Sequence, residues 1–547
     1  MSDLIPGREV FEGFAPWIEA VFYAVSAISL AVCAYGVFLR WRKYAAGRVQ
    51  ADLREMWRGL ARATADVGRQ TTVGKRHPGV GLAHGGVLWG FVALFIGTAV
   101  ITLDYDIVRN INASLRFWKG DFYLGYKLSL NVLGAAFVLG LAALMVRRGL
   151  LRPGELDYRR VDRPAGSYNR SAYSAGDWSF VSWLLVIGLT GFLVSGLRIR
   201  MDGYPPFEVW APLEWGLAWL FVSLPAATAH DVHLGLWWFH GLASLGFIAY
   251  IPYSKAVHIL ADVPSLALRN GSAGRMLPAV PAEAAAPGYA RITDLTPAQL
   301  LALDACTKCG RCHSACPARA SGGPLSPRDL ILDLREYADA ALGVTHRFGW
   351  TAGLRAAGLN LDGKAGGLAG DVIPADTLWA CTTCLACVEA CPVGVEHVPL
   401  IVQLRRSLVD AGELDPNLQA TLQKIAQQGN SFGLSGRQRG RWTQGLPFEV
   451  KDARKSPVQY LWFVGDYASF DQRLQEITRL TAAIFQAAGL DFGILYDGER
   501  NAGNDVRRVG EEGLFEMLAG RNIQALEACQ FEAIVTTDPH SFNTLKN

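Results

Sequence analysis

The sequence predicts an α-helical membrane part with five spans, a mostly α-helical cysteine-rich module, and a small α/β unit at the end. Three observations predict it. Five long charge-poor runs fill the first half of the 547 residues, two four-cysteine runs follow, and short apolar strands alternate with helices near the C-terminus. Only 18% of the residues are charged, against roughly 25% in an average globular chain, so part of this one avoids water. The 51% apolar content excludes a disordered chain, and ten cysteines in such a length exclude a small disulfide scaffold. A net charge of +3 makes no case for nucleic acid as a partner.

Runs of about 20 apolar residues are long enough to cross a bilayer as helices. Ala20–Leu39, Gly79–Leu103, Leu128–Val146, Trp178–Leu197 and Leu234–Ser254 meet that length, and the shorter Trp215–Ala229 with Pro225 reads as an interfacial or re-entrant helix. Loops 40–78 and 147–177 together hold 17 Lys/Arg, among them Arg40, Lys43 and Arg147, against 7 in residues 1–19, 104–127 and 198–233. The excess marks the cytoplasmic side. The expectation is an inner-membrane protein with its N-terminus outside and everything after Lys255 in the cytoplasm. No basic n-region precedes Ala20, so no cleaved signal is expected.

Five of the ten histidines lie in or beside the spans: His84, His230, His233, His240 and His258. Ionisable groups inside a membrane are costly and usually functional. His240 and His258 are 18 residues apart, five turns on one face of a continuous helix. His84, on an antiparallel span, falls at the depth of His258, and the pair suits axial ligation of one haem iron. Taken singly, any of these reads as a satisfied core or interfacial histidine; His233 stands in reserve.

The strongest signal is Cys306-x2-Cys309-x2-Cys312-x3-Cys316-Pro317, repeated as Cys381-x2-Cys384-x2-Cys387-x3-Cys391-Pro392. In this bacterial ferredoxin spacing three thiolates hold one [4Fe–4S] cluster and the fourth ligates the other cluster. Cluster one is thus assigned Cys306, Cys309, Cys312 and Cys391, and cluster two Cys381, Cys384, Cys387 and Cys316. Four disulfides are a poor alternative in a reducing cytoplasm, and zinc sites favour paired CxxC units. The bis-[4Fe–4S] ferredoxin-like domain is bounded at 293–412, after the membrane domain 1–265 and an Ala/Pro/Gly linker at 266–292, with a Gly-rich insertion near 352–370. Cys33 and Cys529 read as apolar filler.

Downstream, YLWFVGDYASF, FGILYD and EAIVTTD read as strands, alternating with helices at 470–489 and 511–528. That is an α/β unit over 455–547.

Two of these regions resemble known families. The segment GLASLGFIAYIPYSKAV between His240 and His258 resembles the last helix of the haem b subunit of respiratory nitrate reductases, and LAHGGVLWGFVALFIGT from Leu82 resembles its second helix. That resemblance implies haem b. His84 matches one ligand, but Leu94 stands where the family's second ligand on that helix would be, so one haem on His84/His258 is better supported than a second on His240. The α/β unit resembles half of the cysteine-rich domain of heterodisulfide reductases. At its cysteine positions stand Asp466, Asn501, Ala502, Asp538 and Ser541. The chain stops soon after, at SFNTLKN, and the expectation is a domain cut short.

The fused order resembles membrane-bound heterodisulfide-reductase-like oxidoreductases, some of them similar to proposed electron-transfer-flavoprotein:menaquinone oxidoreductases. This implies electron transfer from a cytoplasmic donor, such as electron-transfer flavoprotein, through two [4Fe–4S] clusters and haem b to menaquinone in the lipid. Two alternatives stand beside it: a thiol–disulfide reductase coupled to quinol, and a non-redox transporter or anchor with structural clusters. No catalytic base is identified; Lys127 and Asp104 are candidates for proton supply at the outer end.

Overall fold

The computed structural model describes residues 5–11, 14–48, 53–160, 171–272, 274–280, 286–344 and 367–547. The middle of the second basic loop, residues 281–285 of the linker and the Gly-rich stretch up to 366 lie outside the described residues.

Five helices are long and apolar enough to cross a membrane: Pro16–Ala45, Pro78–Ile111, Gly120–Leu151, Tyr173–Met201 and Ala226–Tyr253. The chain is a multi-pass membrane protein. The second and third spans meet through glycine. A Cβ at Gly90 would lie 2.5 Å from the Leu133 carbonyl oxygen, and one at Gly140 would lie 2.4 Å from that of Ala83. Small residues let membrane helices approach this closely, where packing replaces the hydrophobic drive.

The fifth span departs from expectation in two ways. It begins at Ala226 behind Pro225, so the stretch read as one interfacial helix splits. Its first part forms the short helix Pro212–Ala218 and the turn Trp219–Phe221, and residues 226–229 open the span. The α-helix then stops at Tyr250. Two 3₁₀ turns, Ile251–Tyr253 and Lys255–Val257, lead into a separate helix, His258–Ala267. Pro252 has no N–H to continue the ladder and its ring crowds the preceding turn. His240 and His258 are therefore not on one helix, and the five-turn spacing does not relate them.

The cysteine-rich module packs Pro297–Ala305, Pro327–Ala341 and His397–Asp410 round a core that includes Leu300, Leu303, Ile331, Leu334, Ile401 and Leu404. Helix starts are encoded locally: Thr296 and Gln299 form a reciprocal capping box, and Ser326 accepts from the Asp329 N–H. The linker is not a free tether. Residues 266–267 end the helix begun at His258, and a Cβ at Gly288 would sit 2.3 Å from the Ser407 nitrogen.

The last unit is a parallel sheet of β1 (Lys451–Asp452), β2 (Tyr460–Trp462), β3 (Phe492–Ile494) and β4 (Ala533–Val535) in the order β1-β3-β2-β4. The three predicted strands are present; β1, two residues long, carries no pattern in the sequence. Helices Gln472–Ala487 and Glu512–Glu527 occupy the two predicted segments.

The membrane part and the module share a buried ionic junction. Arg40 and Lys43 at the end of the first span both bind Asp304 and Asp339, at 2.7–3.2 Å, with all four side chains nearly fully buried. Tyr44 donates to Asp304 at 2.8 Å, and Arg335 joins the same carboxylate at 3.4 Å. Two cations that by position belong to a basic loop thus face protein.

Candidate redox centres

The two cysteine loops have the same backbone. In the first, Lys308 and Gly310 adopt left-handed φ of 60° and 75°; in the second, Thr383 and Leu385 adopt 53° and 64° at the matching positions. The eight thiols sort into two mutually interacting sets. Cys306 and Cys309 act on Cys312 and Cys391, whereas Cys381, Cys384 and Cys316 act on Cys387. Each run therefore sends its fourth cysteine to the other quartet. Cys387 also reaches Cys312, so the quartets are neighbours. Burial pushes up the thiols of Cys306, Cys312, Cys316, Cys381, Cys387 and Cys391, that of Cys391 to about 12. Negative charge on these sulfurs is stabilised by backbone N–H groups: Val395 donates to Cys391 at 3.3 Å and Thr383 to Cys381 at 3.4 Å. All ten cysteines are unbridged.

Arginines fix both loops from outside. Arg405 donates to the carbonyls of Cys381 (2.6 Å), Leu378 (2.7 Å) and Arg508 (3.0 Å), joining the second loop to the α/β unit. Arg335 donates to the Cys306 carbonyl at 3.2 Å. Arg311 reaches back to the carbonyls of Val73 (2.7 Å) and Thr72 (3.3 Å), just ahead of the second span.

The histidines lie close to that contact. His84 donates from Nδ1 to Gln70 Oε1 at 2.7 Å, and His258 from Nδ1 to the Lys255 carbonyl at 2.7 Å. Each keeps Nε2 without a hydrogen bond among the described residues. Burial holds His258 neutral, with its pKa lowered to about 3, and His84 acts on it in the same direction. Two imidazoles, each anchored at Nδ1 by an oxygen acceptor, suit metal ligation through Nε2. His240 is anchored to Thr190 Oγ1 at 3.0 Å and lies on Gly191, where a Cβ would be 3.2 Å from the ring. His233 is buried, and its Nδ1 has no hydrogen-bond partner among the described residues. No three His, Cys, Asp or Glu among the described residues converge tightly enough to hold a single metal ion.

At the opposite end of the second span from His84, Asp104 is saturated by Arg116 and the N–H groups of Phe117 and Trp118. Lys127 sits among Ser195, Glu208 and Glu214. In the α/β unit, the positions that match the family's cysteines hold a hydrogen-bonded set. Asp466 accepts from Asn501 (2.6 Å) and Arg439 (2.7 Å), and Asp538 accepts from Ser541. Arg439 also binds Glu499 at 2.8 Å, whose carboxylate takes the Val464 and Gly465 N–H groups at 2.9 Å each.

Comparison with known proteins fits this geometry. Residues 305–396 match the model of the 4Fe-4S dicluster domain. This part of the chain binds iron–sulfur clusters. The chain is 36% identical over 366 residues to the probable iron-sulfur-binding oxidoreductase FadF of Bacillus subtilis, covering 61% of this chain and 52% of that protein. It is 28% identical over 507 residues to the EtfAB:quinone oxidoreductase of Syntrophomonas wolfei, covering 86% and 66%. With one component of the dihydromethanophenazine:CoB--CoM heterodisulfide reductase of Methanosarcina acetivorans it shares 30% identity over 242 residues, covering 43% and 54%. The chain thus spans about half to two thirds of the length of these relatives. No solved structure matches it.

Sequence reasoning missed Gln70, Lys255, Arg405 and Arg439. Gln70, Arg405 and Arg439 act on residues 14 or more positions away, and the Lys255 carbonyl serves His258 only because the helix breaks between them.

Proposed function

We propose that this protein transfers electrons between a soluble donor and a quinone of the bilayer through two [4Fe–4S] clusters and haem b. In this reading the donor is electron-transfer flavoprotein, the acceptor is menaquinone, and the module faces the cytoplasm. The observation that carries it is the adjacency of the first cysteine loop to both anchored histidines. Arg311 of that loop binds the Thr72–Val73 backbone, two to three residues from Gln70, which holds His84.

Cluster one takes Cys306, Cys309, Cys312 and Cys391; cluster two takes Cys316, Cys381, Cys384 and Cys387. Gln70 and the Lys255 carbonyl orient His84 and His258 with Nε2 free for iron. Haem, when bound, supplies a one-electron carrier at the membrane end of the chain. Each quinone reduced to quinol takes two electrons and two protons. The similarity to the EtfAB:quinone oxidoreductase supports donor and acceptor, and the basic loops support the side. A disulfide-reducing role needs thiolates, and at the matching positions of this α/β unit the Asp466–Asn501 and Asp538–Ser541 pairs stand instead.

The test uses purified full-length protein in liposomes with a menaquinone analogue and anaerobically reduced electron-transfer flavoprotein. Flavin oxidation matched by quinone loss supports the reading. Failure of the flavoprotein to reduce the clusters refutes the donor, and absence of a b-type optical band refutes the haem.

A further inference from the structure

One buried carboxylate lies between the first cysteine loop and the turn that carries His258. Asp177, near the start of the fourth span, is 1% exposed. Its Oδ1 receives Lys255 Nζ at 3.1 Å and Lys308 Nζ at 3.2 Å, and its Oδ2 receives Arg148 at 3.0 Å and the Tyr158 hydroxyl. Lys308 sits between Cys306 and Cys309 in the left-handed region, and its ammonium also lies 4.5 Å from the centre of the Tyr173 ring. Lys255 is the residue whose carbonyl anchors His258 Nδ1. One side chain thus joins two groups that belong to different halves of the molecule.

We infer that Asp177 is a positioning residue that locks the cluster-one loop to the His258 turn and sets the reduction potential of both centres. The inference rests on the haem reading above. Its physical basis is charge. Three cations, Arg148, Lys255 and Lys308, converge on one anion in a low-dielectric site, where each charge acts on its neighbours far more strongly than in water. Removing the anion leaves the cations unbalanced beside both centres and favours the reduced state of each. It also frees the Lys255 side chain, which holds the turn against the fourth span.

The experiment is a redox titration of purified full-length protein, with the haem followed by its optical band and the clusters by low-temperature EPR. Asp177→Asn is expected to raise the haem and cluster-one equilibria toward reduction by roughly tenfold, 59 mV for a one-electron couple, with cluster two unmoved. Lys255→Met removes a cation instead and is expected to lower the haem potential, so the two variants move it in opposite directions. If Asp177→Asn retains haem and both potentials stay at wild-type values, the inference is overturned. Shifts of the same sign in both variants also overturn it, because they report general loosening. Where Asp177→Asn does not fold, Lys255→Met decides, and an unmoved haem potential refutes the inference. A wild type without a bis-histidine haem signal refutes the haem reading instead.

Discussion

Gly310 of the first cysteine loop lies so close to the Glu155 carbonyl that a Cβ would sit 1.7 Å from that oxygen. Its φ of +75° already favours glycine. The contact joins the loop to the segment between the third and fourth spans. Gly310→Ala is expected to push the loop off this seat and lose cluster one while cluster two remains. EPR spin counting on the purified variant checks it: two intact clusters would contradict the assigned contact. Leu385→Gly, the matching change in the second loop, removes backbone strain of about 1 kcal/mol and is expected to leave both clusters in place.

The junction between membrane and module depends on charge balance. Asp304→Asn removes one of the two carboxylates that Arg40 and Lys43 share and the carboxylate that Arg335 meets, all in a dry site. Breaking a buried pair by removing one partner costs about 3–5 kcal/mol. The expected result is a lower urea midpoint for bleaching of the iron–sulfur absorbance. Arg40→Met added to Asp304→Asn is expected to recover part of the loss, because the two side chains share one network.

Gln70 offers His84 its acceptor at 2.7 Å. Removing such an outer partner weakens metal-site affinity by about 10–100-fold. Gln70→Leu is therefore expected to lose haem to an apomyoglobin scavenger far faster than wild type, whereas His240→Ala keeps it. Equal retention in Gln70→Leu and wild type would remove His84 from the ligand set.

In the α/β unit, Arg439 neutralises Asp466 and Glu499 together. Burial already raises the pKa of Glu499 against the opposing pull of Arg439. Arg439→Leu leaves two unpaired buried carboxylates and is expected to destabilise the unit by about 3–5 kcal/mol. Iron content is expected to stay at the wild-type value, which analysis of the purified variant by metal spectroscopy checks.

The spans and the cysteine runs were legible because each is local: one needs a length of apolar residues, the other a spacing of thiols. Three features were not. Pro252 lies in plain view, yet the apolar run across it reads as one helix, and the break moves His258 onto a separate one. Arg40 and Lys43 count as loop charges by position, but Asp304 and Asp339, more than 250 residues away, draw them into a core. Asp177 looks like an ordinary residue ahead of a span, and its role exists only once Lys255 and Lys308 meet round it. Chemistry written in spacing survives in one dimension; chemistry written in counter-charges does not.

Arg40 also donates from Nε to the Pro252 carbonyl at 2.9 Å, and a Cβ at Gly36, one turn earlier, would lie 2.4 Å from the Pro252 ring. The same guanidinium therefore touches the break in the fifth span and the acidic face of the module. The five helices are not a tether from which a ferredoxin hangs. Cut between them, the module would keep Asp304 and Asp339 without Arg40 and Lys43, and the membrane part would keep those two cations without the carboxylates they share, so the half in lipid and the half in water hold one charge balance between them.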